Sequence, residues 1–325
     1  MDTNHRKVIK DCIYGYIYVP SLCLSFIDTP EFQRLRRVRQ LGMVHYTYPS
    51  ASHTRFEHSL GVMHLAGIMV DQLRNYAPIS DRTKDLIQLA GLYHDVGHFA
   101  YSHLFDIFLS QQSVDSPGIF KLHHHEDRSV FFLKQVNSRL SLLSAEEETF
   151  VCDAILGNIP DNQPHYLYQI VCNKECGIDV DKQDYIRRDS YHTGFPGFYS
   201  EYIIQNAVID SDNHIAYREK VYNVIDDLFR ARQRMFENVY QHHTSLKLDK
   251  LFLCMMKCLG NKLFTYGELT DDFNIETLLR SSPETSQLMI SIDNRNFRHE
   301  CHLCSHYHIS KTVKSSGTID TVRFV

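Results

Sequence analysis

Tyr93-His94-Asp95-Val96-Gly97-His98 decides the reading of this chain, because an adjacent His-Asp pair at the end of an apolar stretch is costly to bury unless a cation holds it. Upstream stands Arg55-Phe56-Glu57-His58, and downstream Gly177-Ile178-Asp179-Val180-Asp181-Lys182. His58, His94, Asp95 and Asp181 therefore form an ordered set that one divalent transition metal could use. Imidazole nitrogen and carboxylate oxygen without thiolate suit zinc, iron or manganese, and leave coordination positions for water and a phosphate oxygen. The chemistry this implies is hydrolytic. A lone His-Asp pair is common by chance, so the argument rests on the quartet.

The sequence around these residues carries a helical period. After Ser52 and Thr54, both suited to cap a helix, His58, Val62, Leu65, Met69 and Leu73 recur at spacings of four, three, four and four, which puts His58 on the core-facing side. A second helix is expected from Ser80-Asp81, with Leu86, Leu89, Ala90 and Tyr93 as its buried stripe and His94 just beyond. Gly97 is expected to end it and free the backbone, so that His94 and Asp95, about 100° apart on a regular helix, converge. From Val180 to Asp189, helical spacing gathers Asp181, Asp184, Tyr185, Arg188 and Asp189 on one broad polar face, which reads as a cavity wall. At the N-terminus, Val8 to Pro20 is rich in β-branched and aromatic residues and reads as a strand or hairpin stopped by proline, with the helical period beginning near Pro30.

The 325 residues, 43% of them apolar and 22% charged, fit a folded globular protein and exclude extensive disorder. The N-terminus lacks the apolar core of a signal peptide, and no apolar run is long enough to span a bilayer. The expectation is an intracellular protein, nuclear or cytoplasmic, without membrane partners. A net charge of −5 gives no support to bulk electrostatic binding of nucleic acid. Nine cysteines, an odd number, fit free thiols rather than a disulfide framework. With no linker or repeat, the expected division is an N-terminal strand or hairpin segment (1–30), a catalytic domain (31–295) and a divergent tail (296–325).

Further acid–base groups follow the His-Asp pair. His98, then His103 with Asp106 at i+3, then His123-His124-His125-Glu126 lie close downstream, and a histidine held by a carboxylate is a common proton donor near neutral pH. His123 and His124 read as exposed polar residues. Arg34-Leu35-Arg36-Arg37-Val38-Arg39 fits an amphipathic helix with a charged outer face equally well as an anion site, and Arg230-Ala231-Arg232-Gln233-Arg234 reads first as a solvated face.

Longer words give a resemblance. Asp28 to Arg36, Gln40-Leu41-Gly42, Ala51-Ser52-His53-Thr54-Arg55-Phe56-Glu57-His58-Ser59-Leu60-Gly61-Val62, Ala90 to Asp95, Gly177 to Tyr185 and Tyr240-Gln241-His242 resemble the HD-domain phosphohydrolases, in particular the catalytic core of the animal dNTP triphosphohydrolases that join this domain to a sterile-alpha-motif domain. The resemblance implies a mainly α, HD-type helical bundle with a short N-terminal β-hairpin and minor β elements. It also implies cleavage of a dNTP to deoxynucleoside and triphosphate by metal-activated water at the α-phosphorus. His58, His94, Asp95 and Asp181 match the metal ligands; His98, His103, Asp106 and His125 the catalytic group; and Arg55, Lys182, Tyr185 and Arg232 the triphosphate contacts, with magnesium a further ion on the phosphates. Gln40, Leu41, Asp189, Tyr240 and Gln241 match the base and sugar pocket, where the tyrosine packs against the place of a ribose 2′-hydroxyl.

By the same resemblance, Lys7, Val8, Asp28, Gln33 and Arg36 match a GTP activator site, and Arg218, Lys220 and His242 parts of a second, dNTP-filled one in a homo-oligomer, dimer or tetramer. Two departures bear on it: Lys10 stands where the family has asparagine, and Glu201 near where it has arginine. The similarity fades beyond Asn296, and the family's C-terminal lobe and sterile-alpha-motif domain have no counterpart in these residues, so assembly and activation are expected to be weakened. Cys301, Cys304, His306 and His308 lie in the divergent tail, where an irregular segment and a zinc site are both open readings. Other HD-domain nucleotide phosphoesterases, and a catalytically weak nucleotide-binding regulator, are the alternative functions.

Overall fold

The computed structural model describes residues 7–111, 117–196, 201–265, 270–271, 275–296 and 318–325. Strands β1 (Lys7–Asp11) and β2 (Gly15–Val19) form an antiparallel hairpin in which Lys7 faces Val19 and Asp11 faces Gly15. Gly15 has φ +76°, which favours glycine, and the Asp11 carboxylate accepts the Ile13 and Tyr14 amides to close the turn. Pro20 stops the strand as expected, but helix begins at once with α1 (Ser21–Ile27), earlier than the period suggested, while α2 (Pro30–Gln33) starts where the period does. Two helices of seven and four residues are too short to display a period.

Helix α3 (Arg55–Leu73) is the centre of the molecule and packs against α4 (Asp81–Tyr93). Its predicted stripe is buried, and so are Leu60, Met63, Ala66 and Val70, so the helix is enclosed on nearly every side. Ser80 caps α4 by accepting the Thr83 amide. The next helices are α5 (His103–Ser110), α6 (His125–Leu140) and α7 (Ala145–Leu156), the last started by a Ser144–Glu147 capping box. After α8 (His165–Tyr168) comes α9 (Val180–Thr193), capped by Asp179 and packed on α3.

Two glycines act through space rather than through backbone freedom. Helix α4 ends at Tyr93, four residues before Gly97, and Gly97 does not have a positive φ. A Cβ on Gly97 would fall 2.0 Å from the His125 carbonyl oxygen and 2.5 Å from the Ser129 amide nitrogen, so glycine here admits the backbone of α6 against the His-Asp loop. On α3, a Cβ at Gly61 would fall 1.9 Å from Asp184 Oδ1, so that glycine lets α9 approach.

The chain continues through α10 (Glu201–Gln205), a second antiparallel pair, β3 (Ala207–Ile209) and β4 (Ile215–Tyr217), then α11 (Tyr222–Met235), a π turn at Phe236–Tyr240, α12 (His243–Leu259), α13 (Glu276–Ser281) and α14 (Pro283–Asp293). The fold is mainly α with two small sheets among the described residues. Part of the expected irregular tail is ordered: Phe324 bridges Tyr217, and the Val325 amide donates to the Tyr217 carbonyl. Cys301, Cys304, His306 and His308 lie outside the described residues. Arg34–Arg37 is a 3-10 turn in which Arg36 and Arg37 are exposed, yet Arg34 is buried and donates to the Val96 and His98 carbonyls. One hydrophobic cluster runs from Ile17 in the hairpin to Val322 near the end, and among the described residues no helix is long and apolar enough to cross a membrane.

Gly97→Ala is expected to lower stability by about 1–3 kcal/mol or more, since its neighbours are backbone atoms that cannot rotate away. A chemical denaturation curve with an unchanged midpoint would show that α6 and the His-Asp loop are not as closely opposed as described.

Candidate metal and phosphohydrolase site

Three helices bring the quartet to one point. His58 opens the second turn of α3, His94 and Asp95 follow the end of α4, and Asp181 lies in the first turn of α9. His58 Nε2 is 3.2 Å from His94 Nε2, 3.3 Å from Asp95 Oδ2 and 3.1 Å from Asp181 Oδ1. His94 Nε2 is 3.5 Å from Asp95 Oδ2 and 3.4 Å from Asp181 Oδ1. Such separations are the polyhedron edges produced by metal–ligand bonds of about 2.0–2.2 Å.

Hydrogen bonding fixes which nitrogen faces inward. His94 Nδ1 lies 2.7 Å from the Gly91 carbonyl, and His58 Nδ1 lies 2.8 Å from Asp184 Oδ2; both partners are acceptors, so each Nδ1 carries a proton. Each Nε2 then turns a lone pair toward the other and toward two carboxylates. Burial disfavours protonation of His58, but hydrogen bonds to Asp181, Asp184 and Asp95 outweigh it and hold the imidazole well above its ordinary pKa. A cation would satisfy the same excess of negative charge, so the donor set fits a divalent transition metal.

Outer partners lock these ligands. Arg188 donates to Asp184 through Nε (2.9 Å) and Nη2 (3.0 Å) and to Asp11 through Nη1 (3.0 Å), so a fully buried chain links His58 to the hairpin turn. Ser129 Oγ donates to the His94 carbonyl and accepts the Gly97 amide. Arg55 donates to Asp95 Oδ2, to Ser102 Oγ and to the Gln40 carbonyl. Burial would raise the Asp95 pKa, but Arg55, His94 and His98 hold the carboxyl well below the usual range.

The second predicted group stands beside the first. The His98 and His125 rings stack at 3.8 Å and 17°, and His103 sits edge-on to both. Asp106 Oδ2 is 3.4 Å from His103 Nδ1 and 3.3 Å from His125 Nδ1, and Arg128 donates to its Oδ1. Asp95 joins the groups, its Oδ1 lying 3.4 Å from His98 Nε2 and 3.8 Å from His125 Nε2. The stacked pair differs in proton affinity. Burial, Arg55 and His125 push His98 well below its ordinary pKa; burial pushes His125 the same way, but Asp106 and Glu126 reverse the sign and raise it. His123 and His124 are exposed, as expected.

Of the other predicted residues, Lys182 is held by Asp179 at 2.6 Å, and Arg232 Nε donates to the Tyr185 hydroxyl at 3.0 Å. Asp189 is buried and accepts from the Tyr240 hydroxyl at 2.7 Å. Leu41 and Tyr240 share a small apolar cluster with Val44, Ala51, Met235 and Val239, while the Gln241 amide closes the π turn onto Phe236. The residues matched to activators lie on several elements. Lys7 and Val8 are exposed on β1, Asp28 is exposed at the end of α1, and Arg36 donates to Gln33 Oε1. Arg218 and Lys220 line a cavity of about 520 Å³ with Tyr76 and Val325, and His242 caps α12.

With this geometry in place, residues 55–185 match the HD domain family. An HD domain thus occupies this stretch of the chain. It is 33% identical over 344 residues (89% of this chain, 54% of the relative) to the deoxynucleoside triphosphate triphosphohydrolase SAMHD1 of Homo sapiens. It is 37% identical over 346 residues (89% and 57%) to that of Bos taurus. It is 35% identical over 289 residues (83% and 62%) to the putative HD domain-containing protein L394 of Acanthamoeba polyphaga mimivirus. The chain spans about half the length of the triphosphohydrolases it matches.

A further His-Glu-His group in this HD-domain protein, His165, Glu175 and His214, is chemically less suited to a cation. Gln169 Nε2 already donates to His214 Nδ1 at 2.9 Å, and Arg323 Nε lies 3.7 Å from Glu175. Sequence reasoning placed Asp184 and Arg188 on a cavity wall without giving them a role, and passed over Arg128, Ser129 and His53 as site residues. For Asp184 and Arg188 a signal existed, since an unbroken polar face on a helix beside a metal ligand calls for buried partners.

Asp184→Asn is expected to weaken cation binding by about 10–100-fold, as loss of an outer-shell carboxylate does. Below its raised pKa His58 holds a proton that a cation must displace, so Mn2+ affinity read by electron paramagnetic resonance should fall as the solution is acidified. An affinity that is flat from about pH 8 to pH 5 would contradict the assigned ligand.

Proposed function

We propose that this chain is a metal-dependent dNTP triphosphohydrolase, releasing a deoxynucleoside and triphosphate. The observation that carries the reading is the convergence of His58 and His94, each Nε2 within 3.5 Å of the other and of the Asp95 and Asp181 carboxylates, beside a stacked His98–His125 pair of unequal proton affinity. The names of the relatives supply the substrate class. His58, His94, Asp95 and Asp181 would hold zinc, iron or manganese, whose Lewis acidity lowers the pKa of a ligated water and polarises a phosphoryl oxygen.

In this reading the chain's residues divide the remaining work. Arg55, Lys182 and Arg232 offset the charge of the triphosphate, helped by Tyr185 and, in solution, by magnesium on the phosphates. Water adds to the α-phosphorus and the bond from phosphorus to the 5′ oxygen breaks. His125, whose hold on a proton is strengthened by Asp106 and Glu126, donates the proton that the departing 5′ oxygen needs. His103 shares Asp106 and returns the proton from solvent, its side chain being 64% exposed. Neutral His98 hydrogen-bonds the phosphate rather than competing for its charge. Asp189 and Tyr240 face the sugar, Tyr240 leaving no room for a 2′-hydroxyl, and Gln40, Leu41 and Gln241 line the base.

Activation by nucleotides in an oligomer is the finer part of the proposal. Lys7, Val8, Asp28, Gln33 and Arg36 would take a guanine nucleotide, and Arg218, Lys220 and His242 a dNTP. Glu201 and Lys10, both exposed, alter the charge at those places, so the preferred activator is expected to differ from the family pattern.

Incubation with dGTP and a divalent metal, with and without GTP, followed by separation of products, tests the reaction. Deoxyguanosine and intact triphosphate are expected, with Asp181→Ala reducing turnover to background and His125→Ala lowering it by about 10²–10⁴-fold. Release of dGMP or inorganic phosphate would point to another phosphoesterase, and nucleotide binding without product to a regulatory role.

A further inference from the structure

His53 occupies a place in the site that no part of the foregoing mechanism uses. Its segment runs antiparallel to the one holding Gln40: Arg39 bridges Thr54, the Gln40 amide donates to the His53 carbonyl at 3.0 Å, and the Arg55 amide donates to Val38 at 2.9 Å. The side chain is fully buried, and Nε2 lies 2.7 Å from Oδ1 of Asp189, itself 2% exposed. The other carboxylate oxygen, Oδ2, accepts from Tyr240 at 2.7 Å. With one donor on each oxygen, the Asp189 carboxylate cannot rotate without losing a buried, charge-assisted hydrogen bond.

The rest of the His53 ring is braced. It stacks on His192 at 4.3 Å with 12° between planes, and His192 is tied through its carbonyl to Ser50 Oγ. His53 Nδ1 is buried with no hydrogen-bond partner among the described residues, a cost a structural role alone would avoid with an apolar ring or a paired amide. Burial and the neighbouring His53 push His192 down to about 4, so the stacked partner is neutral at physiological pH and does not draw the Asp189 carboxylate away.

We propose that His53 is a positioning residue that fixes the Asp189–Tyr240 pair and thereby sets discrimination between deoxyribo- and ribonucleoside triphosphates. This rests on the nucleotide reading given under Proposed function. If Asp189 turned, Tyr240 would lose its acceptor and its ring would be free to swing from the place it holds against a 2′-hydroxyl. The backbone tie to Gln40 couples the same residue to the base side of the pocket.

The test compares His53→Phe, which keeps the buried ring and its stacking surface but has no donor, with His53→Gln, whose amide nitrogen can replace Nε2–H. Dissociation constants for α,β-imido dGTP and α,β-imido GTP are measured for the metal-loaded protein, alongside KM and kcat for dGTP. For Phe the expected result is a loss of about tenfold or more in the deoxy-to-ribo affinity ratio and a similar rise in KM, with kcat changed less; Gln should recover most of the ratio. An unchanged ratio in Phe, or equal losses in Phe and Gln tracking a fall in thermal stability, overturns the proposal. If the unaltered protein binds the deoxy analogue but makes no triphosphate, the catalytic reading fails while the binding ratio still decides the role of His53. Failure to bind either analogue rejects both.

Discussion

Two imidazole lone pairs, each 3.1–3.5 Å from the other and from two carboxylates in a largely water-excluded place, repel unless positive charge stands between them, and this constraint organises the rest of the molecule. The tautomers that create it are imposed from outside the group, by the Gly91 carbonyl on His94 and by Asp184 on His58. Asp184 is in turn held by Arg188, which also reaches Asp11 in the hairpin. The charge pattern is thus assembled from the N-terminal hairpin, the central helices α3 and α4, and the distant helix α9.

Close helix approach makes the assembly possible. Gly61 lets the Asp184 carboxylate lie against α3, and Gly97 lets the backbone of α6 lie against the loop carrying Asp95. The second contact brings His125 beside His98, so the place where charge is neutralised and the place where a proton is held share the carboxylate of Asp95. Arg34 and Arg128 secure that loop from two sides through the Val96, Gly97 and His98 carbonyls. One rigid loop therefore serves both groups.

Much of this was legible in the sequence. The period from His58 to Leu73, the Ser80 cap, the hairpin before Pro20 and the polar face of α9 all follow from local rules and are found where those rules put them. The convergence of His58, His94, Asp95 and Asp181 followed from their order on helical pieces. What local pattern could not carry was pairing at long range. Gly97 read as a helix terminator because spacing says nothing of a backbone arriving from α6, and Arg34 read as part of a charged outer face or an anion site because its carbonyl partners lie over sixty residues away. His53 gave no signal, since its partner Asp189 is 136 positions distant.

The central claim is that a single cation belongs among these four side chains. Anomalous scattering at the Mn2+ or Zn2+ edge from a metal-soaked crystal tests it most directly. The account predicts one strong peak bonded to His58 Nε2, His94 Nε2, Asp95 Oδ2 and Asp181 Oδ1. A peak lying instead among His98, His103, Asp106 and His125, or no ordered peak with the metal in excess, would contradict it.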